Sequence, residues 1–300
     1  MKYLYLRIIG PSLVLLVFSC TERFPIELPK NQAKIVIQAM VTDSPGPYFV
    51  RITRTTDSVR MPQFGLSDAD AVLHSLVIIS SSDGIADTLQ PSPFHLQSFY
   101  FGDGDSLLGY YCTKNWTGKV GQKYYLDAYI DGKHYHSEDV MLPTLKVDSV
   151  TFKYYNSNIK QIQEGYLPTF YFNDNCTNSG YYMARGFTRK YWIINAFYYG
   201  DFLFSLFTER NITDCSAGLY SQGNPNWPYV EGDFGDTSSF VIYSLTKTAY
   251  YFHTNLLKQI TSDGGTFKPS PATPLGNISG DAIGLFQVSS VCEYIVPHIP

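Results

Sequence analysis

The sequence predicts an all-β protein: an N-terminal β-sandwich of immunoglobulin-like or transthyretin-like type, then a larger β domain carrying one helix. Three observations carry that prediction. Short aliphatic and aromatic runs are separated at close intervals by Gly, Pro, Asn and Asp. The chain holds 25 Tyr and 20 Phe, residue types that suit pleated, half-buried surfaces. A single stretch, late in the chain, spaces its apolar residues as a helix does.

The chain opens with a different kind of element. Lys2 and Arg7 flank the start of an apolar run, Ile8 to Phe18, broken by Gly10, Pro11 and Ser12. That run is too short for a comfortable membrane span and reads as a secretory signal, residues 1–19. Cys20 follows it directly, with small Ser19 before it and aliphatic Val17 at minus three. This resembles a bacterial lipoprotein cleavage site, where the cysteine is acylated and becomes the first residue of the mature chain. One acyl chain anchors reversibly, whereas two or more hold stably, so an acylated Cys20 ties the protein to an envelope membrane.

Residues 20–33 read as a tether, charged and proline-containing with no sustained period. The sandwich is expected over 34–145. Lys34 to Thr42 and the alternating Tyr48 to Thr55 flank Asp43-Ser44-Pro45-Gly46-Pro47, which gives a hairpin. Leu73 to Ser80, Ile85 to Leu89, Leu107 to Thr113, Lys123 to Ile130 and Lys133 to Val140 are further strands, and Gly102 with Gly104 marks a turn. Asp131-Gly132 suits a two-residue type I′ loop, whose twist matches the strands on either side. Pro143 closes the unit.

The C-terminal β domain is expected over 146–300. Its strands are Val150 to Tyr155, Leu167 to Phe172, Gly180 to Thr188, Tyr191 to Tyr199, Phe202 to Phe207 and Val241 to Leu245. Thr246 can cap a helix over 247–262, in which Ala249, Phe252, Leu256 and Ile260 line one face. Asp263-Gly264-Gly265 ends it. Leu285 to Ile295 is a last strand, expected to dock into the second sheet.

Charge and motifs exclude several functions. Removal of Lys2 and Arg7 with the signal leaves 20 basic against 26 acidic residues, a net charge of −6 with no basic patch. Nucleic acid is therefore not an expected partner. The sequence holds no G-x-S-x-G elbow, no H-E-x-x-H and no glycine loop that opens a helix. The expectation is a protein that is not an enzyme and needs no cofactor. One constellation stands apart. The Asp131-Gly132 loop pairs Ile130 with Lys133, Tyr129 with His134 and Asp127 with His136. Asp127, His134 and His136 then share a sheet face and are weak candidates for a three-ligand metal site. The competing reading, a plain polar solvent face, is the one expected.

Several segments are similar to one family. Gln38 to Tyr48 with Val50-Arg51-Ile52 and Arg54-Thr55 resembles its opening. Gly121 with Tyr125, Asp131-Gly132-Lys133, Tyr135, Leu142-Pro143 and Val147-Asp148-Ser149-Val150 resembles its middle. Asn277 to Phe286 resembles its closing segment. The family comprises lipoproteins of the Bacteroidota defined as domain of unknown function 4249. The resemblance implies an outer-membrane lipoprotein and an accessory role beside a TonB-dependent transporter or in surface assembly. It supplies no catalytic residues. Thr21-Glu22-Arg23 lacks the usual acidic run after the lipid cysteine, so the periplasmic and extracellular faces both stay open.

The excursion from Thr208 to Ser238 is too long for a simple connector. Its Tyr220, Trp227 and Tyr229, set among Gly, Asn and Pro, are the candidate interface aromatics. Aromatic-rich loops on a sandwich also suit sugar faces, so a surface carbohydrate-binding lipoprotein is the alternative.

Besides Cys20 the chain has Cys112, Cys176, Cys215 and Cys292, none at zinc-type spacing. Cys112 and Cys292 sit among aromatic and aliphatic residues and read as small buried side chains. Cys176 and Cys215 lie in polar loop sequence of the same expected domain, so a disulfide between them is predicted. Closing that loop stabilises by roughly 3 kcal/mol in the chain-entropy view. Non-reducing peptide mapping should recover the Cys176–Cys215 cross-linked peptide; two free thiols there would refute the bond.

Overall fold

Asp43 to Pro47 is turn chemistry between two aliphatic runs, and it folds them into the first hairpin, β1 (Ile35–Thr42) with β2 (Phe49–Arg54). The computed structural model describes residues 33–55, 71–92, 95–98, 102–106, 109–155, 165–172, 180–190, 198–208, 219–220, 237–260 and 274–296. The signal, Cys20 and the tether up to residue 32 lie outside these.

Six short strands and two long ones complete the first half: β3 (Leu76–Ser81), β4 (Ala86–Thr88), β5 (Gln90–Pro91), β6 (His95–Ser98), β7 (Gly102–Ser106), β8 (Tyr110–Cys112), β9 (Lys123–Ile130) and β10 (Lys133–Val140). The second half holds β11 (Val147–Tyr155), β12 (Gly165–Phe172), β13 (Tyr181–Lys190), β14 (Tyr198–Thr208), β15 (Leu219–Tyr220), β16 (Thr237–Leu245), α1 (Lys247–Ile260), β17 (Ile283–Ser289) and β18 (Val291–Val296). The protein is all-β with a single helix among the described residues.

Two sheets make the sandwich. One runs β17-β1-β2-β8-β5, the other β10-β9-β3-β4. Period-2 alternation decides which side chains enter the space between them. Ile37, Val50 and Ile52 come from the first sheet, and Val77, Ile79, Leu126 and Ala128 from the second, each buried. Burying each of the larger aliphatics contributes about 1.5–3 kcal/mol. Beyond β10 the sheets are β11-β12-β15 and β14-β13-β16-β18. Phe170 and Phe240 meet edge to face between them, with ring centroids 5.4 Å apart.

The helix forms where its spacing predicts. Thr246 caps it, with the Ala249 amide donating to Thr246 Oγ1 at 3.4 Å, and Lys258 sits in the last turn, where the macrodipole favours a cation. Ala249 and Phe252 are buried against Met183, Tyr243 and Leu285.

The end of the chain departs from expectation. Leu285 to Ile295 is not one strand docked into the second sheet. It divides at Ser290: β17 pairs parallel to β1, from Val36↔Ile283 to Thr42↔Ser289, and only β18 joins the second sheet, beside β16. The first sheet thus receives a strand from the far end of the chain. A parallel pairing this distant has no linking turn to betray it. Gly102 and Gly104 lie within β7, paired to β6, rather than in a turn. Of the expected strand Tyr191 to Tyr199, residues 191–197 lie outside the described set, and Tyr198 begins β14.

Gly284 makes the β1–β17 contact possible. Its φ is +129°, and a Cβ there would lie 1.8 Å from the Ile37 carbonyl oxygen. Gly84 also has a positive φ, +97°, but faces open space. Gly84→Ala should therefore cost only backbone strain, roughly 1 kcal/mol. Gly284→Ala adds overpacking and should cost about 3 kcal/mol or more. Urea unfolding of both variants checks this; equal losses would place the constraint in the backbone alone.

Candidate functional site

Strands β9 and β10 are eight residues each, joined by Asp131-Gly132. Both loop residues have positive φ, +50° and +74°, as a type I′ turn requires. The loop sets the register Tyr129↔His134, Asp127↔His136 and Tyr125↔Glu138, with all six side chains on the outer sheet face. β10 is an edge strand, and its free side is covered at this point. Ser279 donates its amide to the His136 carbonyl at 2.7 Å, and its hydroxyl accepts the His136 amide at 2.7 Å. The His136 backbone therefore points away from β9. Asp127 and His136 form a pair without mutual backbone bonds, the kind in which opposed side chains lie closest.

Asp127 lies at the centre of the face. Its Oδ1 sits 2.7 Å from His134 Nε2 and 2.9 Å from His136 Nδ1. The ligand-capable atoms of the three residues all lie within 4.8 Å of one another. Tyr129 stacks on His134, centroids 4.6 Å apart and planes 13° apart, and Tyr125 lies along His136 at 6.2 Å. The side chains of His134 and His136 are 47% and 42% exposed and that of Asp127 is 25% exposed, so solutes reach the cluster directly. Chemically the group is two imidazoles and a carboxylate on a rigid support. Its three donors could hold a metal ion.

The structure therefore brings Asp127, His134 and His136 together. Cys20, Cys176, Cys215, Trp227 and Tyr229 lie outside the described residues, and Tyr220 is described only as backbone, paired to Thr169 in β15. Cys112 and Cys292 are unbridged and half-buried rather than fully buried. Burial and the nearby Asp87 charge push the Cys112 thiol up. The Cys292 thiol accepts the Val147 amide at 3.4 Å.

A second polar group, on the inner side of β10, escapes a motif search. Asp139 is buried and accepts the Val288 amide of β17 at 2.9 Å. Beside it runs a directed chain. His253 donates through Nε2 to Gln287 at 2.7 Å, Gln287 donates to Ser289 Oγ at 2.9 Å, and Ser289 donates to the Ser244 carbonyl at 2.6 Å. Burial lowers the His253 pKa, which keeps the ring neutral. The signal was present in β10: Tyr135, Ser137 and Asp139 share the inward phase, so a carboxylate was due to enter the interior. Shifted carboxylates often mark reactive sites. This one is a structural acceptor, bonded to the backbone of β17.

Residues 21–295 match the family described as Domain of unknown function (DUF4249). No curated protein matches the chain.

Burial raises the Asp139 carboxyl from 3.8 to about 6, against the opposing bonds from the Val288 and Val140 amides and the Thr246 hydroxyl. The folded chain holds this proton more tightly than the unfolded chain. The stability due to this group is fully present below the ordinary carboxylate range and is lost as pH rises through about 6. The loss is on the order of 2–3 kcal/mol. Asp139→Asn removes the titration, so its stability should fall less than that of the parent between about pH 4 and pH 7. Denaturant melts of both proteins at the two pH values measure the difference; parallel pH dependences would show that Asp139 does not titrate in this window.

Proposed function

Starting from a chain that belongs to the DUF4249 family, we propose that it is a non-enzymatic lipoprotein, anchored in the outer membrane through acylated Cys20, that holds or gates a partner there. The observation that carries the anchoring is a coincidence of boundaries. The family match opens at residue 21, immediately after the cysteine that ends the signal-like run. Among the described residues no helix is long and apolar enough to cross a membrane.

The partner in this reading is a TonB-dependent transporter or a surface assembly. That choice rests on the kinship with the family. The described surface offers a face suited to contact: Leu76 and Tyr129 are cross-strand neighbours, 48% and 46% exposed, next to the stacked His134. Tyr is among the residue types enriched at interface cores and hot spots. The segment from Thr208 to Ser238, with Tyr220, Trp227 and Tyr229, is the second contact region in this proposal.

Cys20→Ala should move the protein from the membrane fraction to the soluble envelope fraction and abolish labelling by a palmitate analogue. Retention of the label would place the lipid elsewhere. Affinity purification from native membranes should recover a transporter with the intact protein and lose it when residues 212–235 are deleted. Recovery of no transporter would remove the partner, and an unchanged complex after deletion would remove the loop alone. A glycan array that lights up specifically would favour the carbohydrate-binding alternative.

A further inference from the structure

We propose that Asp127, His134 and His136 form a zinc-type metal site on the outer face of the β9–β10 hairpin. The donor set is two imidazole nitrogens and one carboxylate oxygen, which suits a first-row divalent ion. Around a tetrahedral zinc with ligand bonds near 2.0–2.2 Å, donor atoms lie about 3.3–3.5 Å apart. Here Asp127 Oδ1 is 2.7 Å and 2.9 Å from the two nitrogens, and all three donors fit within 4.8 Å. An ion enters by opening the two oxygen–nitrogen contacts by roughly half an ångström and drawing the two nitrogens, which lie within 4.8 Å of each other, toward the same spacing. His134 Nε2 and His136 Nδ1 become ligands when each ring carries its proton on the other nitrogen. Both rings are half exposed, so those protons exchange with water.

Three further observations separate this site from an ordinary polar face. The two histidines and the carboxylate converge on a single oxygen rather than spreading into solvent. The ligands stand on paired strands with a fixed two-residue turn, and the Ser279 bonds lock the backbone at His136. Tyr129 stacks on the His134 ring and restrains its plane, and Tyr125 lies alongside His136. Such outer contacts orient ligands before the ion arrives. Three protein ligands leave coordination positions open toward solvent. The bound ion therefore accepts water, or a donor group from whatever docks on this face.

The test is calorimetric titration of the full chain, purified without chelator, with Zn²⁺. The expected result is one ion per chain and a raised melting temperature. Loss of an outer-shell partner typically weakens a metal about 10–100-fold, so loss of a ligand in His134→Gln or Asp127→Asn should weaken binding at least about tenfold. The His134→Gln/His136→Gln pair should abolish binding while leaving the circular-dichroism spectrum unchanged, since both side chains are half exposed on the outer face. Absence of binding by the parent chain overturns the proposal. So does equal affinity in the single variants, which are conservative changes at accessible positions. The visible spectrum of a Co²⁺-loaded sample adds an independent reading: a tetrahedral site gives intense bands, and a hexaaqua-like spectrum counts against it.

Discussion

A strand at the edge of a sheet leaves alternate amides without a backbone partner, and in β17 that edge is buried. β1 covers one side of it; the other side faces β10 and the 274–282 segment. Each buried unpaired amide would cost about 1–3 kcal/mol. Side chains resolve the problem residue by residue. Asn277 accepts the Phe286 amide at 2.9 Å and donates to its carbonyl at 2.7 Å, as a neighbouring strand would. Asp139 accepts the Val288 amide, and Asp43 accepts the Val291 amide at 2.8 Å, just past the break. Asn277 and Asp139 thus stand in for a strand along β17, and Asp43 holds the first amide of β18.

That substitution lets β17 serve two cores. Phe286 and Val288 are buried in the sandwich with the residues of β1 and β9. Leu285 faces the other way, into the cluster beneath α1. At Ser290 the chain leaves the first sheet for the second. The break is held by reciprocal bonds: the Ser290 amide donates to Ser244 Oγ at 2.9 Å, and the Ser244 amide donates to the Ser290 carbonyl at 3.0 Å. Both hydroxyls also donate to the Leu142 carbonyl at 2.7 Å. The crossing between the sheets is therefore polar and fully bonded, and its residues are almost completely buried. Such a seam constrains orientation more than it adds stability, because every member needs the others in place.

What the sequence disclosed follows the range of the interaction. The β9–β10 register was legible because two residues, Asp131 and Gly132, determine it locally; from it the meeting of Asp127, His134 and His136 follows by counting. The helix was legible because capping and period agree over fourteen residues. The parallel β1–β17 pairing was not, since its partners lie about 250 residues apart and no turn connects them. The seam was hidden for the same reason: Gln287, Ser289 and Ser290 read as an unremarkable end of a strand until Ser244 and Asp139 are placed beside them. Even so, Gly284 carried a trace of it, a glycine inside an aliphatic run where close backbone approach is one of the few explanations.

The two polar groups of β10 differ only in phase, and that difference assigns their roles. Residues 135, 137 and 139 point inward, where Asp139 meets β17; residues 134, 136 and 138 point outward to solvent. Because the inward phase is pinned by Asp139 and buried Tyr135, and the edge by Ser279, a one-residue slip of β10 would expose Tyr135 and strand the Val288 amide together. The register that positions His134 and His136 is thus enforced from the opposite face of the same strand. A ligand arriving on the outer face meets a geometry that the interior has already set. Its affinity is not reduced by ordering the strand that receives it.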